Sequence, residues 1–130
     1  MDKLKGFSLI ELLIVVTIVG ILATIGIPAY SKQVDAAKRS DGKAMLMTIQ
    51  SKMERYIFDN STYPTSLAMI NEYSADIITS VEGYYEINIK AASSSCPIIS
   101  CYILRGVPKG RQNTDGELLL SSNGTRSGAW

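Results

Sequence analysis

Three groups of residues in this 130-residue chain are of types that could do chemistry. They are a lone carboxylate, Glu11, inside an apolar run; a cysteine pair, Cys96 and Cys101; and four cations in the last third, Arg105, Lys109, Arg111 and Arg126. The chain has no histidine, which removes the commonest general base and metal ligand, and two cysteines are too few for a zinc site of their own. No catalytic residue, metal site or cofactor is therefore expected, and the chain reads as a protein that is not an enzyme. Its formal net charge is +1, so a polyanionic partner has to be found through a local patch.

Glu11 most needs an explanation. From Phe7 to Ile27 there are twenty-one residues, fourteen of them Phe, Leu, Ile or Val. At about 1.5 Å rise each they make a helix of roughly 32 Å, enough to cross a bilayer core. The apolar residues contribute roughly −4 to −8 kcal/mol to insertion, against about +3 for a carboxylate at the membrane centre. The span tolerates Glu11 without needing it, so a partner for the charge is expected. A cut between Gly6 and Phe7 would put Glu11 in the first turn or so of a helix, where the dipole favours negative charge. Its partner would then be its own new amine or that of a neighbouring copy. The second pairing would make Glu11 a register device for assembly, since a buried charge is tolerated only where its counter-charge sits.

The elements that position these residues follow from the pattern of the chain. Gly20, Gly26 and Pro28 are the weak points of the apolar helix. Each glycine costs about 0.8–1 kcal/mol relative to alanine, and Pro28 removes a hydrogen bond and crowds the carbonyl of Thr24. A kink is the simplest consequence. Beyond Pro28, Val34, Ala37, Ala44, Met45, Ile49, Met53, Tyr56 and Ile57 recur mostly at steps of three or four between charged residues, which predicts an amphipathic continuation of the same helix. Gly42 weakens it locally, and Asp59, Asn60 and Tyr63-Pro64 close it. A loop with one short helical turn at Leu67, Met69 and Ile70 leads to three strands, around Tyr85–Ile89, Tyr102–Val107 and Leu118–Leu120, separated by turn residues. The expected fold is α+β: one long helix packed on a small antiparallel meander of about three to four strands.

Lys5, Gly6, Phe7, Ser8, Leu9, Ile10 and Glu11 resemble the processing site of the type IV pilins and their relatives, the type II secretion pseudopilins. The stretch from Cys101 through Val107-Pro108, Gln112, Asp115-Gly116 and Leu118 to Gly124 is similar to the C-terminal half of PilE-like, type IVa pilins, major or minor. The resemblance implies removal of the leader, residues 1–6, by a prepilin peptidase, N-methylation of Phe7, and a role for Glu11 in subunit assembly. It also implies a transmembrane and fibre-core segment at residues 7–28, able to stretch out between Gly20 and Pro28, and a head at residues 29–130. Such a chain is held in the bacterial inner membrane with its head in the periplasm. An assembly platform then draws it into an extracellular helical filament of copies or other pilins, serving adhesion, twitching motility or DNA uptake.

Several alternatives bear on this reading. An ordinary secretory signal also begins with basic residues such as Lys3 and Lys5, but has a shorter apolar region cut after small residues, which is not found before Pro28. A plain anchor explains the length and leaves Gly6-Phe7 and Glu11 unexplained. A type II secretion pseudopilin shares the processing site; the calcium loop common near the C-terminus of major pseudopilins would here have only Asp115 and Glu117 as acids. A nucleic-acid receptor would use Arg105, Lys109, Arg111 and Arg126, with Tyr102 or Trp130 to stack. A head outside the cytoplasm makes a Cys96–Cys101 disulfide the expected state, since the spacing is not the Cys-x-x-Cys of a redox pair. The chain departs from the many pilins that pin the C-terminal loop with a disulfide: neither cysteine lies beyond the second strand, which leaves Ser121–Trp130 without that tether.

Overall fold

A computed structural model describes residues 6–90, 93–112 and 115–130. Residues 1–5, with Lys3 and Lys5 of the expected leader, lie outside the described residues, as does the side chain of Arg111. The elements are a helix α1 (Leu9–Asn60), a 3-10 turn (Leu67–Met69), strands β1 (Ile78–Thr79), β2 (Tyr85–Ile89) and β3 (Ile103–Pro108), a second 3-10 turn (Gly110–Gln112), and strands β4 (Leu118–Ser121) and β5 (Arg126–Gly128). The chain divides into two compact units, residues 1–34 and 35–130.

The first unit is the apolar start of α1. Its large side chains, from Leu9 to Tyr30, are more than half exposed, and none of its most apolar stretch is buried. Two polar side chains satisfy themselves within the helix: the Thr17 hydroxyl donates to the Leu13 carbonyl and that of Thr24 to Ile21, both at 2.7 Å. A hydroxyl so engaged does not oppose an apolar surrounding. α1 runs unbroken through Gly20 and Pro28.

The second unit is built on the rest of α1. Its buried stripe is Gly42, Leu46, Ile49 and Met53, at steps of four, three and four. Met45, Tyr56 and Ile57 flank it, whereas Ala37 and Ala44, expected inward, are exposed. Leu46 wins the central place because it fills the space beside Gly106, whose Cβ, if present, would lie 3.5 Å from the Leu46 side chain. Gly42 is more than a weak point in the helix: a Cβ there would sit 2.6 Å from the Tyr85 ring. The helix ends at Asn60, where Ser61 takes φ 59° and its N–H donates to the Ile57 carbonyl at 2.8 Å.

The five strands form one antiparallel meander in sequence order. Pairing of Tyr85 with Pro108, Ile87 with Gly106, Leu104 with Leu120, and Gly106 with Leu118 lays one row of side chains toward α1. Tyr85, Ile87, Leu104, Leu118 and Leu120 from that row are buried against Leu46, Ile49 and Met53. The three strands expected from alternation are the middle of this sheet. The two others, β1 and β5, are two- and three-residue edges.

Candidate functional site

The N-terminal residues stand together at the start of α1. Phe7 is exposed, the Leu12 N–H donates to the Ser8 carbonyl at 3.1 Å, and Glu11 lies in the first helical turn. The carboxylate is thus one turn from the residue that cleavage after Gly6 would make the amino terminus.

In the head, Cys96 and Cys101 are bonded, with Cα atoms 5.0 Å apart. The bridge closes the β2–β3 connection, where the Cys101 N–H also donates to the Pro97 carbonyl at 2.9 Å. Ile98 packs toward the core and Ile99 faces outward.

The acids near the C-terminus do not present a cage of oxygens. Asp115 receives a two-pronged contact from Arg39 through Nε, at 2.8 Å, and Nη2. The Tyr85 hydroxyl and Gln112 Nε2 donate to the same carboxylate at 3.2 and 3.1 Å, and Gln112 Nε2 also reaches the Asp35 carbonyl at 3.1 Å. Hydrogen bonding from Arg39 holds the Asp115 carboxyl below the usual range, and burial pushes the Tyr85 hydroxyl up. Glu117 pairs with Arg105 at 3.7 Å. Among the described residues no group of three or more potential metal ligands is present.

Of the four cations expected to form one patch, the three whose side chains are described, Arg105, Lys109 and Arg126, are divided between the two faces of the sheet. In β3 the inward residues are Leu104 and Gly106, so Arg105 points outward, as the alternation also places Lys109. On that outer face Lys109 meets Glu86 at 2.8 Å and Arg105 meets Glu117. Arg126 pairs in register with inward-facing Leu120 and therefore lies on the helix side of the sheet. There its guanidinium carbon is 5.0 Å from the centre of the Trp130 ring, and Lys43 of α1 places its ammonium 5.6 Å from the same centre. Periodicity put Lys43 on the polar side of the helix and gave no sign of this meeting.

Trp130 is itself fixed. Its indole N–H donates to the Leu119 carbonyl at 2.8 Å, and the Ala129 N–H donates to the Glu117 carbonyl at 2.9 Å. Gly128 makes the hook possible with φ +84°, a conformation side chains rarely adopt. The segment Ser121–Trp130 is thus held by strand pairing and by the tryptophan. Tyr102, the other expected stacking residue, is 1% exposed and cannot stack on a ligand. Its hydroxyl donates to Glu54 at 2.9 Å, its ring meets Tyr63 edge-on at 4.6 Å, and burial raises its pKa far above the ordinary value.

Residues 1–27 match the prokaryotic N-terminal methylation motif, and residues 28–118 match the family described as type IV minor pilin ComP, DNA uptake sequence receptor. The chain is 34% identical to the fimbrial protein EcpC of Eikenella corrodens over 110 residues, covering 83% of this chain and 69% of that protein. It is 37% identical to a fimbrial protein of Neisseria meningitidis serogroup B over 78 residues, 60% of this chain and 43% of that protein. It is also 38% identical to the type II secretion system core protein G of Pseudomonas aeruginosa over 62 residues, 48% of this chain and 44% of that one. The chain thus spans less than half the length of the last two. No solved structure matches.

Proposed function

The chain belongs to the type IV pilins, in the family of the minor pilin ComP, and from that membership we propose that it is a minor pilus subunit whose head receives DNA. The observation that carries the proposal is the match to a DNA uptake sequence receptor family across residues 28–118, which takes in the amphipathic part of α1 and most of the sheet. The similarity to fimbrial proteins accords with assembly into a filament with other pilins.

The finer steps are part of the same reading. A prepilin peptidase removes residues 1–6, Phe7 is N-methylated, and residues 7–28 hold the chain in the inner membrane, with residues 29–130 in the periplasm. The assembly platform then transfers it to an extracellular fibre, where Glu11 pairs with the Phe7 amine of a neighbour and the helix yields between Gly20 and Pro28. A pseudopilin role is less well supported, because the oxygens of Asp115 and Glu117 face arginines and leave none of the acid expected of a calcium loop.

Deletion of the gene tests the proposal directly. A minor DNA-receiving subunit predicts that surface pili persist, that the protein is present in trace amounts in sheared fibres, and that uptake of exogenous DNA is lost. Disappearance of pili, with this chain abundant in sheared wild-type fibres, would make it the major pilin. Intact uptake in the deletion strain would remove the receptor role.

A further inference from the structure

A DNA receptor needs cations whose charge is available to phosphate. The outer face of the sheet does not offer them at its centre. Lys109 and Arg105 each already have a carboxylate, Glu86 and Glu117, so a phosphate arriving there must compete with an ion pair.

The helix side of the β4–β5 edge is different. Lys43 and Arg126 approach one indole, at 5.6 and 5.0 Å, and neither has a carboxylate within ion-pair distance among the described residues. A ring attracts a cation through its quadrupole but carries no net charge, so it orients each head while leaving its positive charge uncancelled. Two like charges that share one ring offer a polyanion passing this edge two successive contacts. The ring is rigidly placed by its bond to the Leu119 carbonyl, and β5 is an exposed edge strand that leaves room for a polymer to lie alongside. Arg126 and Trp130 lie beyond the residues that match the receptor family, so geometry and charge carry the assignment.

We propose that Lys43 and Arg126, positioned by Trp130, form a contact for the sugar-phosphate backbone of DNA at the β4–β5 edge of the head. The proposal rests on the reading of this chain as a DNA-binding pilin. Lys43 supplies a compact charge and Arg126 a planar fork suited to two phosphate oxygens. Trp130 touches no phosphate; it is a positioning residue.

The test is the salt dependence of binding of a fluorescent DNA duplex to the full chain in mild detergent. Each phosphate contact removed lowers the slope of log K against log salt by about 1. Lys43→Gln with Arg126→Gln is expected to lower it by about 2, and Lys43→Arg to leave it unchanged. Trp130→Ala keeps both charges, so the slope holds while affinity falls ~2- to 5-fold for each cation released; Trp130→Phe retains a ring and recovers most of that loss. Arg105→Gln with Lys109→Gln should change the slope little. Thermal melts identify any variant that fails to fold, in which case Lys43→Gln alone decides. Wild-type binding with a slope unaffected at Lys43 and Arg126 overturns the site and leaves the receptor reading standing. A drop in slope confined to the Arg105 and Lys109 variant moves the contact to the outer face. Wild-type protein that binds no DNA overturns both the site and the receptor reading.

Discussion

Asp115 shows how little of a residue's role its type declares. In sequence it is one of only two acids that a C-terminal calcium loop could use, too few to favour one. In the fold it is the shared acceptor of Arg39, Tyr85 and Gln112, fastening the β3–β4 connection to α1. Because its folded pKa is depressed below 3.8, its contribution is present above that value and is lost as pH falls through 3.8 toward the folded value. Asp115→Asn should therefore lower stability at neutral pH by about 2 kcal/mol, the scale of a charge-assisted hydrogen bond that is only partly screened. Urea melts of wild type and variant should converge as the pH is lowered through that window; a constant difference across it would refute the role of the charge. None of this was legible in the sequence, since Arg39 lies 76 residues away. The basic residues teach the same lesson, because Arg105 and Lys109 are sorted by strand alternation onto one face and Arg126 by register onto the other.

Elements were legible wherever periodicity was sustained. The long helix, the short turn after Pro64 and the three central strands all follow from apolar spacing, as does the α+β order. The edges were not, because β5 is Arg-Ser-Gly, with no apolar alternation to mark it, and β1 has only two residues. The helix stripe was found with its inner members blurred: the expected set holds Ile49 and Met53 with Ala44, whereas Leu46, three residues before Ile49, is the one on the buried face. Gly42 makes the point testable. On helix propensity alone, Gly42→Ala should stabilise by about 1 kcal/mol. Here the added methyl would lie 2.6 Å from Cγ of Tyr85, the ring carbon bonded to Cβ and the one with least freedom to move. Overpacking of this kind costs about 1–3 kcal/mol, so the net expectation is destabilisation, read as a lower denaturant midpoint. The disulfide supplies a second measure at this scale. Cys96 and Cys101 close a loop with a sequence separation of 5, and replacing both with serine should cost about 2 kcal/mol by loss of loop-closure entropy. A larger loss, with disordering of the β2–β3 pairing, would mean that the bridge also holds the sheet together.

At the scale of the whole molecule, the chain combines a unit that cannot bury itself with one that can. Residues 35–130 contain a core of their own, while the large apolar side chains from Leu9 to Tyr30 are more than half exposed among the described residues. A pilin resolves this by using two solvents in succession, first lipid and then the helices of other subunits. The apolar residues suit both, so they cannot drive the transfer in one direction or set its register. In the function proposed above Glu11 does both, because a carboxylate gains little from hydrocarbon and much from a fixed amine. Glu11→Ala should remove a cost of up to about 3 kcal/mol from membrane residence while deleting the counter-charge in the fibre. The expected outcome is a variant that inserts and is processed as well as wild type, with its head folded, yet is missing from sheared filaments. Fractionation of membranes and pili from the same cells measures both quantities at once. Recovery of the variant in filaments at the wild-type level would show that apolar packing alone sets the register, and Glu11 would then need another explanation.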